Sequence, residues 1–154
     1  MQITDIMAAQ ARYARCIDTD KLEAWPDFFT EDCVYRITTA ENYRLGYAAG
    51  IIWADSRGML EDRVAALREA NIYERHSYRH VLGLPLLEEE GSEGVRSETP
   101  FLVARIMRDG ATDLFATGRY LDLWRADAAG MPKLAERVVI CDSSRTDTLL
   151  ALPL

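Results

Sequence analysis

Hydrophobic positions near the start of the chain recur at helical spacing. Ile3, Ile6, Met7, Ala14 and Ile17 fall on one side, with Gln10, Arg12 and Arg15 on the other, so a helix is predicted over 3–17. Asp20 and Glu23 have capping-box spacing, with Asp in place of Ser or Thr, and Leu22, Trp25, Phe28 and Phe29 then supply a bulky apolar face. A second, short helix follows. Pro26 belongs in its first turn or at a kink, because an interior proline removes a donor and clashes with the preceding turn. The period then becomes two: Cys33, Tyr35 and Ile37 share one face of a predicted strand over 33–38, with Arg36 and Thr38 on the other. The stretch 39–58 mixes Gly46, Gly50 and Gly58 with Tyr43, Tyr47 and Trp53 and reads as irregular structure with a short strand. Leu60, Val64 and Leu67 give the stripe of a third helix over 59–73, with Glu61, Asp62, Arg63, Arg68 and Glu69 as its solvated face.

From Tyr78 to about Cys141 the pattern alternates, with turn chemistry at the breaks, and four strands fit. The first covers 78–86 and ends in the charged, glycine-bearing loop 87–94. The second covers 95–108, with Pro100 implying a bulge or an edge position, since proline cannot donate to a ladder. Asp109-Gly110 makes a tight hairpin to a strand over 112–125, and Gly130-Met131-Pro132 leads into the last, over 133–141. Helices first and strands afterwards, with one early strand between the second and third helices, describe an α+β fold: a cone-shaped, curved antiparallel or mixed sheet wrapped around helices, as one domain over 1–154. A sheet curled around a helix leaves a pocket, and that architecture serves enzymes, binding modules and scaffolds alike.

Length and composition agree with one globular domain: 154 residues, 49% hydrophobic and 28% charged. The longest uncharged apolar runs, 101–104 and 148–154, are far short of the roughly 20 residues that span a bilayer. The first residues lack the basic start and apolar stretch of a secretory signal, so a cytoplasmic, membrane-free protein is expected. A net charge of −7 repels a phosphate backbone, which argues against a nucleic-acid partner. Cys16, Cys33 and Cys141 include no close pair, which favours reduced, buried thiols over a disulfide framework or a zinc knuckle.

The stretch from Tyr73 to His80 holds both histidines, and if it is extended His76, Tyr78 and His80 share a face while Arg75 and Arg79 take the other. No acidic residue stands nearby at a spacing that would complete a metal site. A histidine lining a pocket beside Asp32 and Tyr35 would move protons near neutral pH, so Asp32, Tyr35 and His80 form the one acid–base set to consider. Ordinary structural roles compete with it: Asp32 capping a turn, Tyr35 filling the core, His80 hydrogen-bonded at a strand entrance. Trp25, Phe28 and Phe29 read as core, and the glycines lack the spacing of a phosphate loop. No Ser, Cys and His grouping marks a nucleophile, and the residues alone yield no convincing catalytic set.

Three blocks in order carry a resemblance: Trp25-Pro26-Asp27-Phe28-Phe29-Thr30-Glu31-Asp32-Cys33-Val34-Tyr35, Arg68-Glu69-Ala70-Asn71-Ile72-Tyr73-Glu74-Arg75-His76 and Glu136-Arg137-Val138-Val139-Ile140-Cys141-Asp142-Ser143. Together they resemble the small, or beta, subunits of Rieske-type aromatic-ring-hydroxylating dioxygenases. Gly50-Ile51-Ile52-Trp53-Ala54-Asp55-Ser56, Leu82-Gly83-Leu84-Pro85 and the ending from Asp147 to Leu154 tie the likeness to members acting on aromatic acids such as terephthalate. The resemblance implies a cone fold of the nuclear transport factor, ketosteroid isomerase and scytalone dehydratase type. It also implies a trimer of small subunits carrying three large (alpha) subunits in a hetero-hexamer. No cofactor is then expected in this chain: the Rieske 2Fe–2S cluster and the mononuclear iron belong to the large subunit, with NAD(P)H electrons arriving through a reductase. Arg75, His76, Tyr78 and Arg79 become candidate subunit contacts. Leu152 and Leu154 join them, because four leucines crowd residues 148–154 and an apolar tail left in water marks an interaction surface, with burial in its own core as the alternative. The rival expectation is a stand-alone dehydratase or isomerase using Asp32, Tyr35 and His80.

Overall fold

A computed structural model describes residues 1–48, 50–70, 74–88, 91–144 and 152–154. Helix α1 (Ile3–Asp18) buries Ile6, Gln10, Tyr13 and Ile17, a stripe at steps of four, three and four residues. Gln10 was expected on the polar side and instead is 2% exposed, whereas Ile3 and Met7 are 41% and 39% exposed. The stripe places Gln10 one turn after Ile6, and it is tolerated inside because its amide is hydrogen-bonded.

The second helix is a 3₁₀ segment, Leu22–Phe28, with Pro26 inside it. Asp20 does not cap it. Its backbone is left-handed at φ 57° and its carboxylate takes hydrogen bonds from Arg68 at 2.9 and 3.1 Å. Arg68 lies on α3 (Arg57–Ala70), so this contact ties the turn that follows α1 to α3. The predicted end of that helix, at 71–73, lies outside the described residues.

Strand β1 (Phe29–Thr39) turns Phe29, Cys33, Tyr35 and Ile37 inward, as the alternation predicts, and all are at most 1% exposed. The stretch read as irregular also holds a short helix α2 (Ala40–Arg44), whose Asn42 N–H donates to Thr39 Oγ1, and the strand β2 (Ile52–Ala54). The strand predicted over 78–86 is broken into β3 (His76–Leu82) and the two-residue β4 (Leu86–Leu87). At the break Gly83 N–H donates to Pro100 O at 2.8 Å, and a Cβ on Gly83 would stand 2.5 Å from the Pro100 ring, so only glycine makes that turn.

The remaining strands are β5 (Val95–Met107), β6 (Thr112–Ala126) and β7 (Pro132–Cys141). Among the described residues seven strands form one mixed sheet in the order β2-β1-β7-β6-β5-β3, with β4 beside β5; β1 and β7 run parallel and the other pairs antiparallel. Pro100 causes no bulge. It sits on β5 where β3 has ended and β4 has not begun, so its missing donor costs no ladder bond. Register breaks fall at Val103/Ala104 and Leu123/Trp124, where an extra residue bends a strand and helps the sheet curl, and a further one lies between Phe29 and Val34 along β1. Trp25 packs edge-on to Phe29 and Tyr35, with ring centroids 5.5 and 5.2 Å apart, closing the sheet's concave face over α1 and the 3₁₀ segment.

Candidate functional site

The concave face is set by neighbouring registers. Tyr35 of β1 lies opposite Arg137 of β7, which lies opposite Asp122 of β6, so a phenol, a guanidinium and a carboxylate enter the interior side by side. Arg137 is fully buried and donates through Nε and Nη2 to the two Asp122 oxygens, each at 2.8 Å. Its guanidinium lies between the rings of Tyr13 and Tyr120, at 4.2 and 4.0 Å. Gln10 completes the group, donating to Thr99 Oγ1 at 2.7 Å and Asp122 Oδ2 at 3.4 Å. Burial disfavours the Arg137 charge, but Asp122 outweighs it and holds the guanidinium above its usual value.

Leu154 closes the interior from another side. Its carbonyl accepts from Tyr13 at 2.8 Å and Tyr35 at 3.2 Å, and its N–H donates to Tyr35 Oη at 3.1 Å. Leu152 and Leu154 are 5% and 1% exposed and belong to this chain's own core. This is the own-core packing that stood as the alternative to a contact with a neighbouring subunit. Residues 145–151 of the same segment lie outside the described residues. Burial raises the Tyr35 phenol well above its ordinary value, so Tyr35 is a neutral hydrogen-bonding group near pH 7.

Asp32 does not join Tyr35. Its carboxylate is 74% exposed and accepts from Thr30 Oγ1 at 2.9 Å and from Arg125 at 3.3 Å, outside the concave face. The Thr30 hydroxyl first, with Arg125 assisting, keeps it below the usual carboxylate range. His80 is held elsewhere again. Its Nδ1 lies 2.6 Å from Asp18 Oδ1 at the end of α1, and its backbone N–H donates to Asp18 Oδ2 at 3.0 Å. Asp18 thus satisfies a donor on the edge strand β3 and orients the imidazole, whose Nε2 is buried without a hydrogen-bond partner. Asp32, Tyr35 and His80 are not brought to one point.

Tyr78 points inward, 1% exposed and stacked on Phe115 at 5.3 Å; His76 is half-buried, its Nδ1 2.8 Å from Glu74 O. Arg75 and Arg79 face outward, Arg79 with 72% of its side chain exposed. Cys16, Cys33 and Cys141 are buried on separate elements, and burial pushes the thiols of Cys33 and Cys141 up to about 11. Among the described residues no grouping of three or more His, Cys, Asp or Glu is placed to hold a metal ion. No helix among them is long and apolar enough to cross a membrane.

Sequence reasoning missed Asp18, Tyr13 and the Asp122–Arg137 pair. The buried stripe of α1 pointed to Tyr13. Nothing local links Asp18 to a histidine 62 positions away.

A family model described as the ring hydroxylating beta subunit matches residues 12–148. A terephthalate 1,2-dioxygenase terminal oxygenase subunit beta from Comamonas is 54% identical over 97% of this chain and 96% of its own length. The crystal structure of a beta subunit assigned to an aromatic-ring-hydroxylating dioxygenase of Novosphingobium aromaticivorans superposes with a TM-score of 0.88 at 36% identity, covering 98% of this chain and 95% of that one. A protein assigned as a scytalone dehydratase from the same bacterium shares the fold alone: 15% identity, TM-score 0.67, over 91% of this chain and 83% of that one.

Proposed function

This chain belongs to the ring-hydroxylating dioxygenase beta-subunit family, and on that footing we propose that it is the non-catalytic scaffold of a complex that dihydroxylates an aromatic acid such as terephthalate. The chain acts as one domain, and three copies form a trimer that carries three large subunits in a cytoplasmic hetero-hexamer. The large subunit holds the Rieske 2Fe–2S cluster and the mononuclear iron, and a reductase supplies electrons from NAD(P)H. The observation that carries the scaffold reading is the use of the interior polar groups. Arg137 is neutralised by Asp122, Tyr35 is occupied by Leu154 and His80 Nδ1 is bound by Asp18, so these three candidate groups are engaged by the fold.

Arg79 is the candidate contact best placed to meet another subunit. It stands on edge strand β3 near Val81, Leu84 and Leu86, which are 58%, 74% and 71% exposed, and exposed apolar groups of this kind mark interaction surfaces. Arg75 and His76 lie at the mouth of the cone, and Tyr78 supports them from inside. The stand-alone dehydratase or isomerase reading is not favoured, because Asp32 faces solvent outside the pocket it would need to serve. Coexpression with a Rieske-type large subunit and sedimentation of the product tests the proposal. Three copies of each chain are expected in one particle, with capture weakened by Arg79→Glu combined with Leu84→Ser; a chain that sediments apart from the large subunit would overturn it.

A further inference from the structure

At the cone mouth, between α3 and the ends of β3 and β5, lies a cavity of about 450 Å³. That falls in the usual range for small-ligand sites, about 300–1,000 Å³. Leu67, Met107 and Leu152 give it an apolar lining, while Arg75, His76 and Arg108 bring polar and basic groups to its rim. Arg68 also lines it, but is consumed by Asp20 and Glu23 at 2.9 and 2.7 Å. Among the described residues Asp20 is the one carboxylate lining the cavity, and it is held by that arginine. Arg75 and Arg108 form no hydrogen bond or ion pair with a described residue. Arg75 and Arg108, without an ion-pair partner among the described residues, thus both line a pocket whose apolar side is Leu67, Met107 and Leu152, in a chain whose net charge is −7.

From this we propose that the cone mouth is a binding site for a small organic carboxylate, its apolar body against Leu67, Met107 and Leu152 and its carboxylate held by Arg75 and Arg108. A guanidinium presents donors in a planar fork that matches a carboxylate, and two of them give a charge-assisted grip that a neutral isostere cannot use. The apolar part of the lining gives an organic carboxylate a contact that a bare inorganic anion does not use. The site shares Arg75 and His76 with the candidate subunit contacts but not Arg79, so the Arg79 contact and this site stand or fall independently.

Titration of the full chain with benzoate, followed by calorimetry or by chemical-shift changes, tests this. Saturable binding is expected, with benzamide and sulfate each weaker by about tenfold or more, the scale of one lost charge-assisted hydrogen bond. Arg75→Gln combined with Arg108→Gln is expected to weaken benzoate by at least about tenfold with an unchanged thermal melt, since both positions are exposed. Arg79→Gln, outside the cavity, is expected to leave benzoate binding as it was. The proposal is overturned if benzoate does not saturate, if the double variant binds it equally well, if sulfate matches benzoate, or if Arg79→Gln weakens binding as much as the double variant does.

Discussion

A guanidinium as deeply buried as that of Arg137 is tolerable only because Asp122 meets two of its nitrogens and two tyrosine rings flank it. Removing one partner of such a pair leaves an uncompensated buried charge, which costs about 3–5 kcal/mol, whereas replacing both with apolar groups of similar volume can be neutral. Asp122→Asn is therefore expected to lower the urea midpoint strongly, and Asp122→Leu combined with Arg137→Met to recover much of the loss. A midpoint unchanged by Asp122→Asn would show that Asp122 is not what makes the buried Arg137 charge tolerable. The pH response follows from groups whose neutral form the fold prefers. Burial raises Cys33 and Cys141 to about 11 and Tyr35 and Tyr120 well above their ordinary value. In the unfolded chain these groups titrate near about 8.5 for the thiols and about 10 for the phenols. Above those values the unfolded state has released protons that the folded state keeps, so the stabilisation is complete below about pH 8.5 and is lost as pH rises toward 11. Thermal melts between about pH 8 and pH 10.5 are expected to show a falling Tm, with a shallower slope in Cys33→Ala combined with Cys141→Ala; a Tm that rises over this window contradicts that.

Among the elements, β1 was the most legible. Its alternation placed Cys33, Tyr35 and Ile37 inside, while Asp32, read at the junction before the strand, belongs to the strand and faces solvent away from Tyr35. In helix α1, Gln10 lies on the stripe of Ile6 and Tyr13 and was set apart only for being polar. The split of β3 from β4 and the closure of the interior by Leu154 depend on partners distant in sequence, and no local pattern encodes them. Deleting residues 152–154 strips two buried leucines, worth about 1.5–3 kcal/mol each, together with the partner of Tyr35. The isolated chain is expected to melt lower as a result; loss of assembly at an unchanged melting temperature would instead place the tail at an interface. Gly118 on β6 tests the sheet itself. A Cβ there would stand 1.9 Å from Ile140 O and 2.9 Å from Ile140 C on β7, so Gly118→Ala forces backbone apart and is expected to cost about 1–3 kcal/mol by chemical denaturation. An alanine variant as stable as the parent would mean that β6 and β7 lie farther apart than this register allows.

At the scale of the whole molecule the chain has the frame of cone-shaped enzymes but uses its interior groups to hold itself together. The family likeness was legible early because it lies in the order and combined length of weak blocks. The geometry that separates a scaffold from an enzyme was not, because it rests on contacts such as Asp18 with His80, 62 positions apart. His80 is the sharpest discriminator: a buried imidazole oriented by a carboxylate is a credible proton carrier by chemistry, and a structural latch by position. The deciding measurement is kcat for dihydroxylation of an aromatic acid by the assembled complex, with the large subunit unaltered and this chain carrying His80→Ala. A scaffold subunit predicts kcat per assembled particle within about twofold of the parent, whereas loss of a general acid or base predicts a fall of about 10² or more with assembly intact, and that result would contradict the non-catalytic role.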